Sequence, residues 1–340
     1  MTAIVEIVPP GAGTMNNEPS SNNEPSSAAP ESARFPFGIP HSWYPVAYSD
    51  EIVAGELKGV RYFGEELILF RGEGGTVGLL DAYCDHLGAH LAYGGKVVGN
   101  DVQCPFHNWS WKSDGRCAAI PYANVIPANA RIRHYPVREH SGFVWAWYHK
   151  DGGEPAFEVP TVAQYSDPDW TPDWIRFEWT IKTHPQEIYE NAADWAHFSF
   201  VHGFDMPSDI DTQFEGPVYH WGLSTAVGDA REKVRQDTDI TGLGCSRIRY
   251  VGELDTVVFL GTTPVSADAT HCRLAILANT RHGRQAGWQA KLEAYADFIA
   301  FGFTQDFEIW EHKKYRAAPK LCHRDGPIDR FRRWAAQFYA

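Results

Sequence analysis

Two short pairs of metal donors constrain this chain more than any other feature: Cys84-Asp85-His86, then Cys104-Pro105-Phe106-His107. Seventeen residues separate His86 from Cys104. C-x-H followed by C-x-x-H supplies two thiolates and two imidazoles, and such a set serves two chemistries. A structural zinc site takes four such donors in a tetrahedron. A [2Fe-2S] cluster takes the same four when the two Cys hold one iron and the two His hold the other.

Spacing favours the cluster. Zinc knuckles usually separate each ligand pair by two or more residues, and only Asp85 lies between Cys84 and His86. The flanks, Tyr83 to Gly88 and Gln103 to Trp109, read as two loops leaving strands. Leu87-Gly88 after the first pair, Trp109-x-Trp111 after the second, and the turn Asp114-Gly115 resemble Rieske domains. In the Rieske proteins of cytochrome complexes an extra disulfide joins the two loops. The corresponding places here hold Ala89 and Phe106, so the resemblance is to the lower-potential ferredoxin and oxygenase branch.

The chain has 340 residues, enough for two domains and a tail. Hydrophobic residues make up 44% and charged residues 21%, a globular balance. A net charge of −13 argues against nucleic acid and anionic membrane as partners, and an acidic face suits a basic redox partner. Of the six Cys, Cys117, Cys245, Cys272 and Cys322 are scattered without a disulfide-framework spacing. Free thiols in a reducing cytoplasm are expected. No apolar run reaches the ~20 residues of a membrane span.

Residues 1–34 are rich in Pro, Ser and Asn, with Asn-Asn-Glu-Pro-Ser-Ser at 16–21 repeated at 22–27. Such a tail is expected to be disordered. Residues 35–157 alternate short strands and turns, among them Leu67–Phe70, Val77–Leu80 and Gly142–Tyr148, and Asp151-Gly152-Gly153-Glu154-Pro155 closes that domain. Residues 158–340 mix strands and helices. Strands are expected over Phe177–Thr183 and near 229–238, 245–251, 254–262 and 271–279. Helices are expected over Pro185–Phe200 and from Trp288 to about Lys314.

The first of those helices would carry Asn191, Asp194 and His197 at i, i+3 and i+6, with His202 five residues further on. Five residues turn an ideal helix by roughly 140° net. The two His therefore converge only if the helix ends between them, and Gly203 suits an end. One carboxylate would then complete a 2-His-1-carboxylate set for Fe(II) with open positions for O2 and substrate. The late helix offers Asp306, Glu308 and Glu311. Asp306 interrupts the apolar stripe of Tyr295, Ile299, Gly302 and Ile309, where a carboxylate is costly unless paired or metal-bound, so it is the expected ligand.

Asn191-x-x-Asp194-x-x-His197-Phe198-x-x-x-His202 resembles the mononuclear-iron motif of Rieske oxygenases. Phe214-Glu215-Gly216 and Gln305-Asp306-x-x-Ile309-Trp310 resemble one branch of them, that of 3-ketosteroid 9α-hydroxylase oxygenase components and cholesterol 7-desaturases. The resemblance covers about residues 36–340. It implies an α+β chain in which a β-rich Rieske domain precedes a helix-grip (START-like) domain, an antiparallel sheet with a long C-terminal helix. It implies a terminal oxygenase that hydroxylates a steroid-like or sterol-like polycycle with O2 and receives electrons originating in NADH.

No G-x-G-x-x-G follows a strand, so those electrons must come through a separate reductase, alone or with a ferredoxin. The branch further implies a head-to-tail homotrimer in which Asp194 links His197 to the neighbour's cluster. Asn191 stands near the iron as a weak ligand or as a polar core residue. Animal desaturases of the branch carry an N-terminal membrane segment that is not seen here, and a soluble cytoplasmic enzyme is expected. Another aromatic or hydrophobic substrate, demethylation or desaturation are the alternatives, followed by a non-catalytic electron carrier.

Two such sites hold about three irons and two acid-labile sulfides per chain. Metal and sulfide analysis of the red-brown protein should return that ratio, and zinc without labile sulfide would overturn the entire assignment.

Overall fold

A computed structural model describes residues 34–204, 210–227, 232–252, 254–283 and 285–340. The expected tail, apart from Arg34, lies outside these residues, as do residues 228–231 at the start of the strand expected near 229–238.

From Arg34 onward the described chain packs as one unit built on an antiparallel sheet. Its seven strands are Ile175–Ile181, Ile210–Glu215, Val218–Val227, Glu232–Thr241, Cys245–Val251, Thr256–Ser266 and Ala269–Ala278. The last six form a meander, and Ile175–Ile181 pairs with Ala269–Ala278 at the far edge. The run Val257-Val258-Phe259-Leu260 is apolar throughout because both faces of the sheet are covered at its centre. Val258 and Leu260 join a core under the helices, while Val257 and Phe259 pack with Trp43, Trp145 and Trp147 on the other side.

The residues before this sheet form three smaller antiparallel sheets. Ser42–Tyr48 and Val137–His140 flank Phe143–Tyr148, which covers the outer face of the large sheet. Arg273, only 3% exposed, fastens the two layers. Its guanidinium donates to the carbonyls of Pro45 (2.8 Å) and Val46 (3.0 Å) and to the Tyr62 hydroxyl (3.1 Å). The strand shifts register between Pro45 and Ala47, so these carbonyls fall out of the ladder and need another donor.

The expected helix over Pro185–Phe200 is in fact broken. Helix α1 spans Pro185–Glu190 and continues as a 3-10 turn over Asn191–Ala193. Asp194 is extended (φ −99°, ψ 96°), and α2 runs from His197 to Phe200. The long late helix is broken as well, into α3, Trp288–Thr304, and α4, Phe307–His312. Asp306 lies between them and is 5% exposed, whereas Ile309, expected on its stripe, is 47% exposed. Helical periodicity was present in both segments, but each yields where a side chain must turn into the core. Helix α5, Ile328–Ala335, buries Ile328, Phe331 and Trp334, and its Arg332 pairs with Glu190 at 2.7 Å. No helix among the described residues is long and apolar enough to cross a membrane.

His184 caps α1. Its Nδ1 accepts from the Gln186 N–H (3.1 Å), and its Nε2–H donates to the Gly38 carbonyl (3.0 Å). Burial holds this imidazole down to about 4. The unfolded chain takes up the proton near 6.5, so the group's contribution is complete above that pH and is lost as pH falls toward 4. At ~1.4 kcal/mol per pH unit, denaturant unfolding at pH 5 should show about 2 kcal/mol of this loss, and His184→Gln should flatten that slope.

Candidate metal centres

Each Cys/His pair sits in a loop of the same construction. The Cys84 N–H donates to the Ala89 carbonyl (2.9 Å) and the Gly88 N–H to the Cys84 carbonyl (2.8 Å). The Cys104 N–H donates to the Trp109 carbonyl (2.8 Å) and the Asn108 N–H to the Cys104 carbonyl (3.1 Å). Both loops turn through a left-handed residue four positions after the Cys, Gly88 (φ 74°) and Asn108 (φ 58°), types that tolerate this region. The one-residue difference between C-x-H and C-x-x-H is thus absorbed within loops of equal size.

Cys84 and Cys104 are each 2% exposed, while His86 and His107 lie half-buried above them with ring centroids 4.8 Å apart. Trp109 stacks on His86 at 4.5 Å and is tied by its Nε1–H to the Tyr122 hydroxyl. The buried Nδ1 of His107 has no hydrogen-bond partner among the described residues. Burial pushes the Cys84 thiol up to about 11, so bound cationic metal is needed to draw the proton off. Two sulfurs inside, two imidazoles at the rim and an orphaned ring nitrogen fit a [2Fe-2S] cluster. The other four Cys form no disulfide.

The second group is assembled by the helix breaks. His197, His202 and Asp306 bring one ligand atom each within 4.8 Å of one another. His202 Nε2 is 3.4 Å from Asp306 Oδ2. The Nδ1–H of His197 donates to the Asp194 carbonyl, an acceptor only, so the tautomer is fixed and Nε2 stays free. His202 Nδ1 is held by Gln305 Oε1 at 3.1 Å, which likewise leaves Nε2 toward Asp306. Such outer partners orient metal-binding imidazoles. Burial pushes His197 down, toward the neutral ligand form. The donor set fits Fe(II) with open positions. Glu308 is exposed, and Glu311 accepts the Lys182 N–H (3.1 Å), so neither joins the group.

Asp194 does not lie on a continuous helix face with His197, contrary to expectation. Its main-chain carbonyl holds the His197 ring, and among the described residues its carboxylate accepts the His197 N–H, at 3.4 Å. Burial raises this carboxyl. Asn191 accepts the Trp310 indole N–H at 3.2 Å and lines the same cavity as the His pair. Gln305 and Trp310 appear in the quoted motif, yet nothing in their spacing disclosed their roles as supports.

The cavity beside His197, His202 and Asp306 measures about 270 Å³. Phe198, Trp221, Ile248, Leu260, Phe298 and Phe303 supply much of its wall. An apolar chamber with metal donors at one side suits a hydrophobic ligand.

Asp306→Ala, like His197→Ala or His202→Ala, should lower the iron content by about one per chain and abolish turnover. Labile sulfide and the cluster's absorbance should persist, and full iron retention in Asp306→Ala would remove it as a ligand.

Two family models match the chain: "Rieske [2Fe-2S] domain" over residues 42–136, and "3-Ketosteroid 9alpha-hydroxylase C-terminal domain" over residues 146–339. A probable 3-ketosteroid-9-alpha-monooxygenase oxygenase component from Rhodococcus rhodochrous is 34% identical over 87% of this chain and 79% of its own length. The cholesterol 7-desaturase of Hemicentrotus pulcherrimus is 29% identical over 91% and 72%. In fold, dicamba monooxygenase superposes with a TM-score of 0.71 at 18% identity, covering 88% of this chain and 97% of that one. Matching family models over both halves and a relative above 30% identity place this chain among the Rieske non-heme iron monooxygenases, in the family of 3-ketosteroid 9α-monooxygenase oxygenase components.

Proposed function

We propose that the chain is the terminal oxygenase that hydroxylates a hydrophobic polycycle of steroid or sterol type. Electrons would pass from NADH through a separate reductase, with or without a ferredoxin. The observation that carries this reading is the opening of an apolar cavity directly onto His197, His202 and Asp306. The relatives named for 3-ketosteroids support the substrate class.

When bound, the irons supply electron storage and O2 activation. Cys84, Cys104, His86 and His107 would hold the cluster, and His197, His202 and Asp306 would hold the mononuclear ion. Asn191, fixed by Trp310, is a positioning residue beside it. The apolar walls exclude water and press the ring system against the donors.

Transfer between neighbouring subunits of a homotrimer fits the surface chemistry. Leu87 and Phe106 beside the cluster and Phe200 beside the second centre are 65%, 60% and 85% exposed. The Asp194 carboxylate, an acceptor on every lone pair, can receive an imidazole N–H from a neighbour's cluster.

Reconstitution with NADH and a surrogate reductase tests the substrate. A steroid in a broad panel should stimulate O2 uptake coupled to a product one oxygen heavier. Stimulation by a small aromatic acid alone would sink the assignment, and an unsaturated product would favour desaturation, as in the cholesterol 7-desaturase relatives. Asp194→Asn should keep cluster and iron yet slow cluster reoxidation by roughly 10-fold or more in stopped flow, the loss expected when a positioned bridging group goes.

A further inference from the structure

The run Trp109-x-Trp111 closes the second Cys/His loop, and its two indoles take different places. Both belong to the buried cluster that contains Cys84 and Cys104. Trp111 is fully buried, while Trp109, 8% exposed, reaches the rim where the imidazoles lie. There it lies flat on His86, with centroids 4.5 Å apart and planes 7° apart. His107 meets a different neighbour: its ring is tilted 40° from that of Phe106, which is 60% exposed.

The indole is fixed at both ends. The Trp109 main-chain carbonyl accepts the Cys104 N–H (2.8 Å), and its Nε1–H donates to the Tyr122 hydroxyl (2.8 Å). Tyr122 follows the strand Cys117–Ala119 and is 62% exposed. Neither residue is one of the four cluster donors, yet together they set the plane on which one donor rests. Contact therefore runs from the surface at Tyr122 through Trp109 of the second loop to His86 of the first.

Parallel stacking also acts electrostatically. The face of an indole is negative and attracts positive charge above it. An imidazole bound to iron gives electron density to the metal, so its ring is more positive on an oxidised cluster than on a reduced one. The Trp109 face therefore favours the oxidised form.

We infer that Trp109, pinned by Tyr122, is a positioning residue for His86 that fixes the imidazole plane and lowers the reduction potential of the cluster. The inference rests on the cluster assignment and is independent of the substrate. The groups around an iron–sulfur centre tune its potential, and here the tuning group is a π face supplied by the opposite loop.

The test uses the cluster-loaded full chain at a single pH, equilibrated with redox mediators and dithionite, which supplies the one electron each cluster takes up. Absorbance reads the reduced share at each potential. Trp109→Leu should raise the reduced-to-oxidised ratio at fixed potential by about threefold to tenfold, an upward shift of up to about 59 mV for a one-electron couple. Trp109→Phe keeps an aromatic face and should show less than half of that shift. Tyr122→Phe keeps every ring and removes the acceptor of the indole N–H. Its ratio should move in the same direction by up to about twofold. The EPR signal of its reduced cluster should broaden, because the imidazole is no longer held in one plane.

An unchanged potential in Trp109→Leu, or a shift in Trp109→Phe as large as that in Trp109→Leu, would overturn the inference and leave the cluster standing. If the Trp109 variants hold no cluster, the exposed Tyr122→Phe decides: neither shift nor broadening there would overturn the inference. Wild type without a reducible cluster would overturn the cluster assignment and the inference together.

Discussion

Asp306 places a carboxylate where the protein is nearly dry, 3.4 Å from one imidazole of the His pair. A lone charge in such a place is unstable, and the interior is organised to make it useful rather than to avoid it. The late helix stops after Thr304 so that Gln305 and Asp306 can turn inward. Across from it, the earlier helix stops at Asp194 so that its carbonyl can hold His197. The two interruptions face each other, and each supplies both a donor and the group that orients the opposite or neighbouring donor.

That arrangement requires a rigid floor, which the sheet provides. Its centre is covered on both sides, by helices on one and by Phe143–Tyr148 with its tryptophans on the other. Arg273 reaches through this second contact to the irregular strand at Pro45 and Val46. Removing it would leave the buried Val46 carbonyl without this donor, while the Pro45 carbonyl keeps the Thr263 hydroxyl at 2.7 Å, so the clamp couples the strand Ser42–Tyr48 to the sheet that floors the cavity. Phe157, at the expected border between the halves, is itself bound there, its carbonyl accepting the Trp43 indole N–H at 2.7 Å.

The two centres solve opposite solvation problems. The Cys84/Cys104 site buries its sulfurs and leaves its imidazoles half-buried at the rim. The group of His197, His202 and Asp306 sits at the wall of an apolar chamber.

The sequence by itself determined the candidate donors. Cys84, His86, Cys104 and His107 are legible because their order and spacing match the coordination chemistry of one cluster. His197, His202 and Asp306 are legible because two His near a helix end and a carboxylate on an apolar stripe demand an explanation. The α+β texture and most strands of the large sheet follow from period-two alternation and turn residues. Only the tertiary structure decided the helix breaks at Asp194 and Asp306, because local periodicity favours continuing a helix and the groups that the breaks bring together, His197 and His202 with Asp306, lie more than a hundred residues apart in sequence. The same holds for Gln305 holding His202 and for Arg273 satisfying a bulge. Each depends on what lies opposite across the core, and spacing along one chain carries no record of that.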